Sequence, residues 1–244
     1  MLLPETIDFA WTHPSSKTES CSIPGKHSDF FCSLAQKYSM FICVGLTEKI
    51  GDKNYNTAIL INRNGEIILK YSKINLLTVE HDFYEIGQSL NVVDTEFGKI
   101  GINICADNYS NSLAIGHTLA KMGAQIILSP SSWTVEFSLV EGMDPYRDKW
   151  QKPLYSLASI FNVLVVSTTA VGYVVGGPYE GKKMVGCSLA INKTGVLSKG
   201  QFNEFAGELI VLETEIPQKS FKGTELSDFV EKQGVNYYPN NLYR

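Results

Sequence analysis

The stretch FGKIGINICADNYSNS, residues 97–112, places a cysteine between an apolar segment and a polar turn. Ile100, Ile102 and Ile104 are β-branched residues among small neighbours, a pattern typical of a strand buried in a core. The polar residues that follow form turns and N-caps, and from Leu113 apolar residues recur at helical spacing. Cys105 is therefore predicted to lie in a strand–turn–helix unit. A nearby helix N-terminus lowers the pKa of a thiol and can hold an oxyanion.

Taken alone, this segment favours an inert buried thiol, because free cysteine is among the most buried residue types. The rest of the chain has to decide between the two interpretations.

Composition and charge restrict the class of protein. The chain has 244 residues, 44% of them hydrophobic, which predicts a single folded domain over residues 1–244. The net charge of −4 comes without a basic stretch, so nucleic acid is not expected as a partner. The apolar runs are shorter than the roughly 18 residues that span a membrane, so no membrane association is expected. The N-terminal MLLPE does not have the pattern of a signal peptide.

The cysteines and histidines do not form a metal-binding pattern. The four histidines show no HExxH spacing, so neither a metal nor another cofactor is expected. The cysteines are odd in number and lack CxxC spacing, which predicts reduced thiols and a cytoplasmic protein. They are Cys21, Cys32, Cys43, Cys105 and Cys187.

Hydrophobic periodicity predicts an α/β protein with mixed sheets. Hairpins are expected at the turns RNG (63–65) and NKTG (192–195), each between two apolar alternating runs. The helices are predicted at 27–39, 113–122 and 148–162, with a partly helical tail from Lys222. The other strands are predicted at 40–46, 125–130, 163–170 and 207–216.

Three short segments belong together chemically. They are LLPETIDFAW with Glu5, LKYSKINLLTVEHDFYEIGQ with Lys73, and INICADNY with Cys105. In this order and spacing they resemble the carbon–nitrogen hydrolase (nitrilase-like) superfamily, in particular its amidase-type branches. Residues 80–87, 123–133 and 186–197 resemble further segments of that family, so the similarity runs from Leu2 to about Ile216.

The resemblance implies a role for each of the three residues. An amide carbonyl is a poor electrophile, and a thiolate that forms an acyl-enzyme makes its hydrolysis easier. Cys105 would be this nucleophile. Glu5 would be the general base, and Lys73 would stabilise the tetrahedral oxyanion together with the backbone N–H of Ala106.

Other residues have two open interpretations. Glu80 resembles the additional active-site carboxylate of the family, but it equally fits a solvated surface residue. Trp133 is a candidate for the pocket wall or for the core. Asp107 is interpreted as a structural turn residue, and His117 as a packed or surface residue that does not face Cys105. The glycine-rich loop 173–186 is a candidate lid.

The family fold implies a four-layer α-β-β-α sandwich of two mixed sheets, and the family implies a homodimer or larger homo-oligomer. Members of the family have a β–α unit before the Pro-Glu strand, whereas only four residues precede Glu5 here. The sequence therefore predicts a sheet that lacks this first unit, which would leave unpaired backbone groups on the neighbouring strand.

The predicted function is cofactor-free hydrolysis of a small amide or N-carbamoyl compound through a cysteine acyl-enzyme, with release of ammonia. Nitrile-cleaving members usually have Trp-Glu after the cysteine, whereas this chain has Ala106-Asp107. Three alternatives remain: a nitrilase, a non-catalytic family member that serves as a binding or structural subunit, and a Cys–His enzyme using His117.

Overall fold

Two β-sheets packed face to face form the centre of the protein in the computed structural model, which describes residues 1–140, 147–218 and 224–232. The strands are β1 (Ile42–Ile50), β2 (Lys53–Ile61), β3 (Ile67–Ser72), β4 (Val92–Thr95), β5 (Gly98–Ile102), β6 (Ile126–Ser131), β7 (Thr134–Val135), β8 (Leu164–Thr169), β9 (Val171–Tyr173), β10 (Lys183–Val185), β11 (Leu189–Asn192) and β12 (Gly195–Lys199).

The helices flank these sheets. They are α1 (Ser16–Glu19), α2 (Lys26–Lys37), α3 (Ala114–Lys121), α4 (Lys152–Phe161) and α5 (Thr224–Lys232), with 3₁₀ helices at Thr78–Glu80 and Cys105–Asn108 and a π-helical turn at Arg147–Gln151. Among the described residues, no helix is both long enough and apolar enough to cross a lipid bilayer.

The first sheet is the antiparallel meander β1-β2-β3. The predicted hairpin between β2 and β3 is confirmed, and Gly65 adopts the left-handed φ of +82° that its turn requires. Residues 1–7 run along the open edge of β1: Leu2 forms a parallel bridge with Cys43, and the N–H of Ile7 donates to the carbonyl of Gly45 at 3.1 Å. This parallel segment makes the sheet mixed.

The second sheet has six strands in the order β12-β11-β8-β6-β5-β4. β5, β6 and β8 are parallel, and the outer strands are antiparallel to their neighbours. The predicted hairpin β11–β12 is confirmed, with Asn192 opposite Gly195. A separate small sheet, β7-β10-β9, lies outside these two.

Alternating side chains build the layers. On β1 and β2, Cys43, Ala58 and Leu60 belong to the core shared with the second sheet, whereas Val44 and Ile59 pack towards Ala35 of α2. Both faces of these strands are therefore buried, which explains their nearly continuous apolar sequence. Helices α3 and α4 cover the outer face of the second sheet. The predicted four-layer α-β-β-α arrangement is confirmed.

One predicted strand is wrong. Residues 207–216 contain no strand, and the side chains of Leu209 and Val211 are 77% and 87% exposed. β-branched and apolar residues favour a strand only where a neighbouring strand supplies backbone partners. The predicted helical tail is present as α5, although Lys222 lies outside the described residues.

The strand ends bring the candidate residues together. Lys73 follows β3, Cys105 follows β5 by three residues, and Ser132 follows β6. The N-terminal segment reaches the same place, because the N–H of Glu5 points to the carbonyl of Ser131 at 3.4 Å. In α/β sheets, ligands bind at the carboxyl ends of parallel strands, and Cys105 is at such an end.

Gly45 offers a test of this docking. A Cβ at Gly45 would lie 2.6 Å from Cα of Glu5 and 2.8 Å from the carbonyl oxygen of Pro4, so Gly45→Ala has to push the N-terminal segment off β1. We expect the free energy of unfolding to fall by about 1–3 kcal/mol, the usual cost of overpacking. Urea denaturation measures this loss. Gly207→Ala is the control, because no atom lies within 4 Å of its new Cβ. Equal stability of the two variants would contradict the packing described.

Candidate active site

A buried ammonium between two carboxylates forms the centre of the site. The Nζ of Lys73 donates to Oε1 of Glu5 at 2.8 Å and to both carboxylate oxygens of Glu80 at 2.9 Å. All three side chains are completely excluded from solvent. Asn56 joins them from β2, since its Nδ2 donates to Glu5 at 2.6 Å and to Glu80 at 3.2 Å. Glu80 is thus part of this cluster and not a solvated surface residue.

Glu5 is held so that one of its oxygens has no partner. Its Oε1 accepts from Lys73 and Asn56, and its backbone carbonyl accepts from the Ser132 hydroxyl at 3.2 Å. Its Oε2 is buried and makes no hydrogen bond to any residue that the structure describes. This oxygen is available to accept a proton.

Cys105 sits at a sharp turn after β5. It is the first residue of the 3₁₀ helix Cys105–Asn108 and adopts a left-handed φ of +46°, which is uncommon for a residue other than glycine. Backbone strain of this kind is found preferentially at functional sites. The helix predicted at 113–122 is confirmed as α3, and the short 3₁₀ helix lies between Ile104 and α3.

Burial sets the protonation of the thiol. It raises the pKa of Cys105 well above the ordinary 9.0, and the charge of Glu5 adds to this rise, while Lys73 and a hydrogen bond from the Ser132 backbone oppose it. The expected lowering of the thiol pKa by a helix N-terminus is therefore wrong. Since the thiol is neutral at pH 7, it needs a base to become a nucleophile.

Glu5 and Lys73, the charged groups that act on the thiol, also have shifted pKa values. Burial raises the pKa of Glu5 above its ordinary 4.5, although Lys73 and Asn56 act in the opposite direction. Burial alone lowers the pKa of Lys73, but the Glu5 and Glu80 carboxylates outweigh it and hold the pKa well above its ordinary value. Lys73 therefore stays positively charged.

Asp107 anchors the loop that carries Cys105. Its carboxylate accepts hydrogen bonds from the Tyr71 hydroxyl at 2.6 Å and from the backbone N–H groups of Asn75 and Ile104 at 2.8 Å each. The Nδ2 of Asn75 also donates to the carbonyl of Ala106 at 2.7 Å. These bonds tie the cysteine loop to the chain that follows Lys73, which agrees with the structural role expected for Asp107.

Cys105 opens into a cavity of about 340 Å³. This volume is at the small end of ligand pockets, which suits a small molecule. Its aromatic walls are Trp11, Tyr109, Trp133 and Tyr179. Glu136, Lys149 and Lys182 add charge to the lining, and Lys182 pairs with Glu136 at 2.6 Å. Tyr179 and Lys182 come from the loop 173–186, so this candidate lid does border the cavity.

Trp133 has both of the roles considered for it. It lines the cavity and is only 6% exposed, and its ring lies 4.2 Å from that of Trp150 and 5.6 Å from that of Tyr109.

Ala106 is the second residue of the 3₁₀ helix Cys105–Asn108, where backbone N–H groups find no acceptor in a preceding turn. Its N–H is therefore suited to bind an oxyanion.

Two contributors were missed in the sequence. Asn56 lies in β2, where it and Thr57 are buried polar residues beside an apolar run, and this is the only signal. Trp11 follows Glu5 by six residues and resembles an ordinary core residue, yet its Nε1 donates to Oε1 of Glu80 at 2.8 Å.

His117 lies elsewhere. It is in the first turn of α3 and packs against Phe161, with ring centroids 4.7 Å apart. Burial and the neighbouring Lys121 lower its pKa to about 4, so the ring is neutral at pH 7. His117 does not line the Cys105 cavity. This position does not favour a Cys–His enzyme.

The carbon-nitrogen hydrolase family profile matches residues 1–221. The chain therefore belongs to the carbon-nitrogen hydrolase family.

Individual relatives agree with this assignment. A nitrilase of Pyrococcus abyssi is 28% identical over 244 residues, covering 98% of this chain and 85% of the relative. A probable nitrilase of Schizosaccharomyces pombe is 29% identical over 155 residues, which span 62% of this chain and only about half, 53%, of the relative.

A solved structure supports the fold. The crystal structure of Nit3 from Saccharomyces cerevisiae, a member of branch 10 of the nitrilase superfamily, matches with a TM-score of 0.70 and 20% identity. The match covers 99% of this chain and 82% of Nit3. The curated yeast protein is named omega-amidase and is 30% identical over 122 residues, 45% of this chain and 41% of that protein.

Removal of the buried ammonium should make stability depend on pH. In Lys73→Met, Glu5 loses the charge that lowers its pKa, so the pKa of Glu5 in the folded state rises further above the unfolded value. A raised carboxyl pKa stabilises the fold at low pH, and this stabilisation is lost as the pH rises through the folded-state pKa. We expect a loss of about 3–5 kcal/mol at pH 8 and a smaller loss at pH 5.

Urea denaturation at both pH values measures this difference. The control is Lys53→Met, because the Lys53–Glu85 pair is exposed and contributes little. A Lys73→Met deficit that is the same at pH 5 and pH 8 would show that the ammonium does not neutralise the carboxylates.

Proposed function

We propose that the protein hydrolyses a small amide or N-carbamoyl compound through a cysteine acyl-enzyme and releases ammonia. The observation that carries this proposal is the position of Cys105 in the wall of a small cavity, together with the fixed Glu5 carboxylate and Lys73 ammonium that interact electrostatically with its thiol. No bound metal or organic cofactor takes part in the proposed reaction.

The first half of the reaction forms the acyl-enzyme. Oε2 of Glu5 takes the proton of the Cys105 thiol as sulfur attacks the carbonyl carbon, so that a C–S bond forms and the carbonyl oxygen becomes an oxyanion. When this intermediate collapses, the C–N bond breaks. Glu5 returns the proton to the leaving nitrogen, and a primary amide thereby loses ammonia.

The second half removes the acyl group. Water attacks the thioester carbon, so that a C–O bond forms, and gives one proton to Glu5. The C–S bond then breaks. The proton then returns from Glu5 to the sulfur of Cys105. The products are the free enzyme and a carboxylic acid from an amide, or a carbamic acid, which then loses CO2 to leave an amine, from an N-carbamoyl compound. Each turnover consumes one water molecule.

Lys73 and Ala106 act on the oxyanion in both halves. The ammonium of Lys73 is permanently charged and held by two carboxylates, so it needs little reorganisation as negative charge develops. The N–H of Ala106 adds a dipole from the start of the 3₁₀ helix. Glu80 keeps Lys73 in place and charged.

The choice of an amide over a nitrile comes from the residues after the nucleophile. Ala106-Asp107 differs from the Trp-Glu usual in nitrile-cleaving members, and here Asp107 is occupied by Tyr71, Asn75 and Ile104. The yeast relative named omega-amidase is in line with amide cleavage, whereas the Pyrococcus abyssi and Schizosaccharomyces pombe relatives are named nitrilase and probable nitrilase. A comparison of substrates decides between them.

We also propose that the protein works as a homodimer or larger homo-oligomer in the cytoplasm. A nucleophilic thiol has to stay reduced, and all five cysteines are free. Multi-angle light scattering of the purified protein measures the oligomeric state, and a mass of one chain would contradict this part of the proposal.

Ammonia release tests the reaction. We expect ammonia from at least one member of a panel of aliphatic amides, ω-amides, N-carbamoyl amino acids and nitriles, and a rate at least about 100-fold higher for the best amide or carbamoyl compound than for its nitrile. Cys105→Ala should abolish turnover, because it removes the nucleophile. Cys21→Ala, which removes a thiol far from the cavity lining, should leave turnover unchanged.

A folded wild-type protein that releases no ammonia from any compound would contradict the proposal and favour a non-catalytic family member. Turnover of nitriles alone would favour a nitrilase.

The pH profile tests Glu5 as the base. The reaction requires ionised Glu5, and burial raises its pKa, so the acid limb of kcat/KM should lie above pH 4.5. Glu5→Gln should lower kcat/KM by about 100-fold or more, since a positioned base contributes at least this much. An acid limb at or below pH 4.5, or a Gln variant with normal activity, would rule out this role.

A further inference from the structure

We propose that Trp11 is a positioning residue of the reaction: its indole N–H fixes the Glu80 carboxylate, and its ring forms the cavity wall in contact with the substrate. This inference rests on the proposed function, because it concerns the same site.

The indole N–H completes the set of donors on one carboxylate oxygen. Oε1 of Glu80 accepts from Nε1 of Trp11 at 2.8 Å, from Lys73 at 2.9 Å and from Asn56 at 3.2 Å. Trp11 is the donor of these three that also lines the cavity. A molecule in the cavity that contacts the Trp11 ring is therefore linked through this one side chain to the Glu80 carboxylate, which holds the Lys73 ammonium.

The Trp11 ring packs against the segment of the chain that carries Glu80. Trp11 is 5% exposed and packs with Leu76 and Tyr84 in a small apolar cluster separate from the two larger ones. Leu76 and Tyr84 lie on either side of the 3₁₀ helix Thr78–Glu80. The indole thus packs against the segment whose carboxylate it orients.

The backbone around Trp11 is strained. Thr6, Ala10 and Thr12 have left-handed φ values of 44°, 55° and 60°, although none of them is glycine and two are β-branched. Such conformations persist where the surrounding structure over-determines them, and they cluster at functional sites. Here the strained turns bring Glu5 and Trp11, six residues apart, to the same cluster.

The loop 173–186 covers the other side of the ring. Tyr179 contacts Trp11 edge to face, with ring centroids 5.1 Å apart, and both side chains line the cavity. The loop is seated on the strained segment, because a Cβ at Gly177 would lie 2.4 Å from the carbonyl oxygen of Thr12. Trp11 is thus fixed between the loop and Glu80.

The variant Trp11→Phe tests this role, since it keeps an aromatic ring and removes the donor. We expect kcat to fall about tenfold or more, the lower end of what a hydrogen bond to a charged group contributes, with KM changed by less than about threefold. The acid limb of kcat/KM, which reports Glu5, should move to higher pH, because an ammonium that Glu80 holds less firmly lowers the pKa of Glu5 less.

Trp150→Phe is the matched control. Trp150 is 2% exposed, does not line the cavity, and its Nε1 makes no hydrogen bond within the described parts of the chain. We expect this variant to lose stability without a change in the pH profile. Equal pH profiles and equal kcat losses for the two variants would overturn the proposal, because both would then reflect lost packing alone.

Two further measurements keep the inference testable. If Trp11→Phe does not fold, 3-benzothienylalanine introduced at position 11 retains the shape of tryptophan and replaces the N–H by sulfur. Normal kcat and pH profile in that protein would overturn the proposal.

If the wild type releases no ammonia, the proposed function fails separately, and the rate of Cys105 alkylation by iodoacetamide as a function of pH becomes the readout. A profile displaced in Trp11→Phe but not in Trp150→Phe supports the inference, and superimposable profiles overturn it.

Discussion

The buried ammonium of Lys73 between Glu5 and Glu80 is the interaction on which the site depends. Removing three charges from water costs several kcal/mol for each ion, and only close contacts with additional hydrogen bonds offset this cost. Four separate parts of the chain supply them here: the N-terminal segment, β2 with Asn56, the end of β3, and the 3₁₀ helix Thr78–Glu80. The sandwich is therefore the frame that keeps these parts in register.

The proposed nucleophile comes from the opposite sheet. Cys105 follows β5 of the second sheet, whereas Lys73 follows β3 of the first, and the bonds of Asp107 to Tyr71 and Asn75 join the two. In the proposed reaction, the cysteine depends on a neighbouring base and not on a thiol ionised in advance. Burial, which keeps the thiol neutral, also strengthens the electrostatic interactions available to a transition state.

Much of this architecture could be predicted from the sequence. Short apolar runs rich in β-branched residues located β1, β2, β5, β6 and β8, and turn residues located both hairpins. Glu5, Lys73 and Cys105 were recognised as a set by the order and spacing of short motifs. Local pattern was less informative where tertiary contacts decide. The apolar run 207–216 predicted a strand but pairs with no strand in the described parts of the chain. The expected lowering of the thiol pKa gave too little weight to burial, which the sequence alone could not measure.

Asn56 and Trp11 show the same limit. An amide in a strand and a tryptophan in a loop carry no local signal of catalysis. Asn56 acquires its role through Glu5 and Glu80, and Trp11 through Glu80, which lies 69 positions further along the chain. Local periodicity describes elements, whereas the site is defined by contacts among them.

The docking of the N-terminal segment has a consequence for synthesis. Residues 1–7 emerge from the ribosome before the rest of this domain, yet Glu5 contacts Ser131 and Ser132, more than 120 residues later. Contacts this distant in sequence close large loops and form slowly. Glu5, the proposed general base, thus stays without its final neighbours until β6 has been translated. Assembly of the proposed reaction site is therefore a late event in the maturation of this fold.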